Sequence, residues 1–160
     1  MSKAVVMGDS HSLALADAPG REFDGLDCFP WFSLPAMGED FFTRDGKSLR
    51  FARRFYTPRF QAIFGKRRFK GPWNDLRIGL VMGFATSRVI RDPSWMSYRP
   101  WSSPSRGTHK ISSEAIKAIG VAQNRPIVDC FSAMRAIGAP IFAVSAPPLR
   151  RQEKAIRSNR

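Results

Sequence analysis

The sequence predicts an α/β fold built on a mainly parallel sheet, and three observations lead there. Apolar runs at residues 4–7, 76–82 and 141–144 each close on a turn signal, namely Gly8, Gly83 and Pro147-Pro148. Short continuous apolar runs of this kind are expected of strands buried on both faces, as in a parallel sheet. Helical patterns stand between the runs, and strands alternating with helices place a ligand crevice beyond the carboxyl ends of the strands. There is no internal repeat, heptad or solenoid period.

The elements follow in order. Ala4-Val5-Val6-Met7 is apolar with two β-branched residues, and Gly8 ends it. Residues 10–16 predict a helix: Ser10 or Ser12 can cap its free backbone N–H groups, and Leu13 and Ala14 can pack back on the sheet. Ala18-Pro19-Gly20 breaks that helix. Residues 26–32 give a second strand, placed at a sheet edge or a strand end by Pro30, which has no N–H to donate.

Residues 41–75 hold ten Lys or Arg against Asp45 and Asp75, interleaved with aromatics from Phe41 to Trp73. Phe51 and Phe55 lie four apart, as do Phe60 and Phe64, which predicts two short helices separated by Pro58. Each would present an aromatic face with arginines opposite. The segment reads as an insertion over the sheet.

Residues 76–82 form the next strand, with Ile78, Leu80, Val81 and Met82 as its buried residues. Pro93, Pro100 and Pro104, with Trp95, Tyr98 and Trp101, make residues 92–109 a packed loop near the site rather than a regular element. From Ser112 a helix begins, with Glu114 in its first turn and Ile116 and Ile119 on one side. It breaks at Arg125-Pro126 before a second set of Ile127, Phe131 and Met134, and Gly138 stops it. Residues 141–144 are the third clear strand. The organisation expected is one α/β domain over 1–149, with the basic aromatic insertion at about 41–75, and a basic tail at 150–160.

Composition bounds the rest. At 160 residues the chain can bury about two thirds of the surface its unfolded form exposes, enough for one core. With 43% hydrophobic and 12% aromatic residues it is not a disordered or low-complexity polymer. Lys and Arg number 26 against 13 Asp and Glu, a formal charge of +13 that favours contact with polyanions and says nothing of fold. Cys28 and Cys130 lie far apart without a neighbouring His or second Cys, which points to neither a metal knuckle nor a disulfide scaffold. The apolar stretch after Lys3 is too short for a signal-peptide core or a membrane span. A cytoplasmic protein with reduced thiols and no membrane span is expected.

The chemistry sits first at Gly8-Asp9-Ser10-His11. A serine directly after a buried strand and at a helix start can project its hydroxyl into the crevice, with backbone N–H groups facing a developing oxyanion. The bland alternative is that Ser10 merely caps a helix. Of the two histidines in the chain, His11 follows the serine, where packing or substrate contact is the simpler role. His109 lies in a Ser/Pro/Gly-rich loop, where solvation is the commoner fate.

The block Val5-Val6-Met7-Gly8-Asp9-Ser10-His11-Ser12-Leu13-Ala14-Leu15 resembles the first block of the SGNH (GDSL-like) hydrolases, in the variant with His after the serine. Residues 78–86, 95–101 and 141–148 are similar to the same group in order and spacing; the basic segment is not. The resemblance implies a three-layer, flavodoxin-like α/β sandwich and a serine ester hydrolase that uses neither metal nor nucleotide cofactor. Its substrates would be small acyl esters or acylated carbohydrates. Ser10 matches the nucleophile, Asp9 the neighbour that supports the turn, and Gly83 the glycine whose N–H would serve the oxyanion. Ala85 stands where the family has asparagine, and neither Thr86 nor Asn74 replaces it. The family's Asp-x-x-His near the C-terminus has no counterpart here, so the fold is incomplete at that end by the family's pattern. The chain is then an active esterase with another base, with His11 and His109 as candidates, or a truncated or degenerate relative without activity.

The basic segment carries a separate, non-enzymatic reading. Arg44, Arg50, Arg53, Arg54, Arg59, Lys66, Arg67, Arg68 and Lys70 could contact the phosphates of nucleic acid, or an acidic polysaccharide, while Phe or Trp rings stack on bases. Against it, rings at helical spacing are more often core, and arginines opposite a buried face are usually a solvated surface.

Overall fold

A computed structural model describes residues 4–9, 11–16, 26–30, 40–65, 68–81, 97–101 and 109–144. In chain order the elements are β1 (Ala4–Gly8), α1 (His11–Ala16), β2 (Leu26–Pro30), β3 (Phe42–Asp45), β4 (Ser48–Phe51), α2 (Pro58–Phe64) and β5 (Arg68–Lys70). There follow β6 (Arg77–Val81), β7 (Tyr98–Pro100), β8 (His109–Ile111), α3 (Ser113–Ala136) and β9 (Ile141–Ala143). The chain divides into two compact units, Met1–Phe84 with Pro126–Ala146, and Ala85–Arg125 with Pro147–Arg160. No helix among the described residues is long and apolar enough to cross a membrane.

The first unit is mixed α/β, centred on a four-stranded sheet of order β2-β1-β6-β9 in which every pairing is parallel. The three apolar runs of the sequence are β1, β6 and β9. The two that lie in the middle of the sheet, β1 and β6, are buried from Val5 to Gly8 and from Ile78 to Val81, as strands covered on both faces must be. β2 lies at the edge, the position Pro30 allows.

Register assigns the two faces. Val5 pairs with Ile78 and Met7 with Leu80, and these four fully buried side chains share one face with Ile127, Cys130 and Met134 of α3 in one hydrophobic cluster. On the other face Val6 pairs with Gly79, and Gly79 with Phe142. A methyl group at Gly79 would stand 2.8 Å from the Phe142 ring and 3.0 Å from Val6, so the glycine makes room for that ring over the sheet.

The strongest departure from expectation is at residues 41–56. Phe51 and Phe55 are not on a helix: Phe51 ends β4, and Phe55 lies in a 3-10 turn at Arg53–Phe55. β3 and β4 form a hairpin closed by Gly46-Lys47, with Gly46 at φ 55°. A glycine at the first position of a two-residue hairpin loop is a stronger local instruction than two phenylalanines four apart. The second predicted helix does form as α2, but Pro58 is its first residue, with Thr57 accepting the Phe60 N–H at 3.1 Å. β5 then completes an antiparallel sheet of order β3-β4-β5.

The aromatics of this segment are core. Phe41, Phe55, Phe60 and Phe69 are fully buried and Phe51 nearly so, with ring centroids 4.9–6.4 Å apart along the chain of contacts from Phe41 to Trp73. They belong to the same cluster as Val5 and Ile78, so the insertion packs on the sheet.

The predicted helix break at Pro126 is absent: α3 is continuous from Ser113 to Ala136 with Pro126 inside it. An interior proline costs about 3 kcal/mol, whereas burying Ile127, Cys130 and Met134 one turn apart returns about 1.5–3 kcal/mol for each large apolar side chain, so packing prevails. Gly138 does stop it, at φ 78°. Its N–H donates to the Arg135 carbonyl at 2.9 Å and the Ala139 N–H to the Met134 carbonyl at 3.1 Å, the paired bonds of a Schellman cap.

In the second unit, β7 pairs with β8 in parallel, so residues 92–109 are not wholly irregular. Nor are their described aromatics packed: Trp101 is 77% exposed and Tyr98 40%.

Candidate functional site

The chain leaves β1 for β2 on one side and later enters β6 on the other. This reversal is the topological switch point of a parallel sheet, the kind of place at which such sheets bind ligands, and the carboxyl ends of β1 and β6 there are Gly8 and Val81. Gly8 and Asp9 therefore stand at the carboxyl end of β1 beside that switch point.

Gly8 is required by close approach. A Cβ there would lie 2.0 Å from the Val81 carbonyl oxygen, a backbone atom that cannot swing aside. The next residue leaves the sheet: the Asp9 N–H donates to the same Val81 carbonyl at 3.1 Å.

Asp9 is 2% exposed and organises the turn with both ends of its residue. Its carboxylate Oδ1 accepts the His11 N–H at 2.9 Å, satisfying a donor that the start of α1 leaves free. The same oxygen lies 2.8 Å from His11 Nδ1. Its carbonyl accepts the Ser12 N–H at 3.0 Å and the Ser12 hydroxyl at 2.7 Å. Ser12 is fully buried and donates its hydroxyl backwards, so Asp9, not Ser12, caps the helix.

The Asp9–His11 contact has a chemical consequence. A carboxylate oxygen only accepts, so the proton on a neutral His11 belongs to Nδ1 and the lone pair to Nε2. The ring is 41% exposed and can be reached from outside. A buried acid bonded to an accessible imidazole in this way can orient it for proton transfer.

The other predicted site residues fall as follows. Ser10 and Gly83 lie outside the described residues, as do Leu13 and Ala14 at the level of side chains. His109 is exposed on β8 in the second unit, its ring 6.0 Å from that of Tyr98. Asn74, at φ 38° in the turn before β6, stands at the amino end of that strand and so at the opposite end of the sheet from Gly8.

Of the basic residues, Arg44, Arg50, Arg53, Arg59, Arg68 and Lys70 are exposed, Lys66 and Arg67 lie outside the described residues, and nothing is described of the Arg54 side chain. Arg59 is bound through its Nε and Nη2 to both carboxylate oxygens of Asp27 on β2, and Arg68 pairs with Asp45 at 2.7 Å. Phe51, Phe55, Phe60 and Phe69 are buried in the core and so are not rings on which bases could stack.

Sequence reading missed the Asp9–His11 pair and the Ser12 bond. The signal was present: an aspartate two residues ahead of a helical N–H is a side-chain capping pattern. Comparison of the chain with protein-family models, curated proteins and solved structures finds no match.

Proposed function

We propose that the chain is a serine-dependent acyl-ester hydrolase of SGNH type, its four-stranded sheet serving as the middle layer of a three-layer sandwich. Ser10 is the nucleophile, His11 the base oriented by Asp9, and the Gly83 N–H a donor to the oxyanion. The observation that carries this reading is the Asp9–His11 hydrogen bond at the carboxyl end of β1, on either side of Ser10 in the chain.

In this reading the Ser10 hydroxyl attacks the ester carbonyl as its proton passes to His11 Nε2. The proton goes on to the leaving alcohol; water, deprotonated by the same imidazole, then attacks the acyl-enzyme, and that proton returns to Ser10 Oγ as the acid leaves. Asp9 keeps Nδ1 protonated and steadies the imidazolium formed in each step. No Asp-x-x-His segment is needed for this arrangement.

Release of p-nitrophenol from its acetate ester tests it. Ser10→Ala and His11→Asn are each expected to remove most of the rate, on the order of a million-fold when nucleophile and base act as a unit, and Asp9→Asn about ten-thousand-fold. Equal rates in wild-type and Ser10→Ala protein, both folded by circular dichroism, would overturn the reading. Full activity in His11→Asn would remove the base assigned here and leave the serine.

A further inference from the structure

The three-stranded sheet has two unlike faces. Register places Phe42, Leu49, Phe51 and Phe69 on the inner one, against the aromatic core, with the exposed Arg44 on the same side opposite Leu49. On the outer face Thr43, Arg50 and Arg68 lie directly across from one another, and beside them Asp45, Ser48 and Lys70 make a second row. All but Ser48, whose hydroxyl turns back to the Asp45 carbonyl, are exposed.

We infer that this outer face is a docking surface for the sugar–phosphate backbone of double-stranded nucleic acid. Arg50 and Arg68 stand opposite each other on neighbouring strands, like charges that repel across the ladder, and Asp45 pairs with Arg68. Asp45 neutralises only part of the row, and Lys70 adds a further cation. Arginine forks match phosphate oxygens in pairs, and duplex backbones present the densest regular row of phosphates a protein meets.

The face also says what kind of nucleic acid fits. Single strands are gripped by exposed aromatic rings on which bases stack, and here the rings point the other way into the core. A duplex keeps its bases inside and offers phosphates, which cations and the Thr43 hydroxyl can contact without reading sequence. The inference is independent of Ser10 chemistry.

The test is binding of the full chain to a short fluorescent DNA duplex, followed by anisotropy from about 50 to 200 mM salt. With Arg50 and Lys70 on phosphates and Arg68 paired with Asp45, the slope of log K against log salt is expected to be about −1.8 or steeper. Arg50→Gln with Lys70→Gln should flatten it by about 1.8, while Arg50→Lys, which keeps the charge, should not. Lys117→Gln with Arg135→Gln removes equal charge from exposed positions on α3 and should leave the slope unchanged. Equal flattening by both double variants would mean that net charge alone binds, and would overturn the assignment, as would absence of duplex binding. Tighter binding of heparin or of phosphatidylserine vesicles, dependent on Arg50 and Lys70, would also overturn it.

Discussion

Replacing Gly8 by alanine adds one methyl group at the junction of β1 and β6, and its cost can be worked from the geometry. The new carbon would lie 2.0 Å from the Val81 oxygen, 2.6 Å from its carbonyl carbon and 3.0 Å from its Cα, while ordinary contact begins at 3.4 Å. The strands must therefore part by about 1.4 Å against a normal spacing of about 4.8 Å. The Asp9–Val81 hydrogen bond, 3.1 Å at present, then exceeds hydrogen-bonding range, and a buried donor and acceptor lose their partner at about 1–3 kcal/mol. Met7 and Leu80, both fully buried beside the junction, lose close packing as well. A total of about 3–5 kcal/mol is expected, a large part of the 5–15 kcal/mol typical of a domain. Urea denaturation followed by far-ultraviolet circular dichroism should show the midpoint lowered by about 2 M, taking a slope of about 2 kcal/mol per M. A midpoint within about 0.5 M of wild type would refute the claim that the backbone of β6 cannot yield.

Gly138 and Cys130 give further outcomes from the same structure. Gly138→Ala meets no atom within 4 Å, so it should cost only the conformational penalty of φ 78°, about 1–2 kcal/mol, read in the same urea experiment. Burial holds the Cys130 thiol well above its ordinary value, so the folded protein keeps it protonated while the unfolded chain ionises. Stability should then be unaffected at neutral pH and fall as pH rises above about 9, by at most about 1.4 kcal/mol per pH unit, and Cys130→Ala should lack that component. A thiol reagent should label Cys130 only on unfolding.

What the sequence disclosed was set by how local each cause is. Three apolar runs closing on turn residues became β1, β6 and β9; in β1 and β6 burial on both faces leaves an apolar imprint in the run itself, whereas β9 is an edge strand with Phe142 and Ala143 exposed. Gly138 was readable because only a left-handed residue ends that helix. The hairpin was misread because Phe51 and Phe55 satisfy a helical spacing while meeting across a strand and a turn, 6.4 Å apart by ring centroid. Pro126 was read as a break because its cost is local, whereas the burial of Ile127, Cys130 and Met134 that outweighs it is tertiary. At the site, the position of Asp9 and His11 was legible and their hydrogen bond was not, since it depends on how the chain turns out of the sheet at Val81.

The strand order also governs the time course of assembly. β3 and β4 meet across two residues, and such hairpins close in about 1–10 μs. β1 cannot meet β6 until the chain from residue 9 to 76 has looped, nor β6 meet β9 until residues 82–140 have done so, which makes the parallel sheet the slower structure. Pulse-labelled amides of β4 should accordingly gain protection before those of β6; the reverse order would contradict it. During synthesis the outer edge of β6, with its row of free backbone groups, stays open from the moment residue 81 leaves the ribosome until residue 143 arrives. The nascent chain is most prone to pair with a wrong strand during that interval.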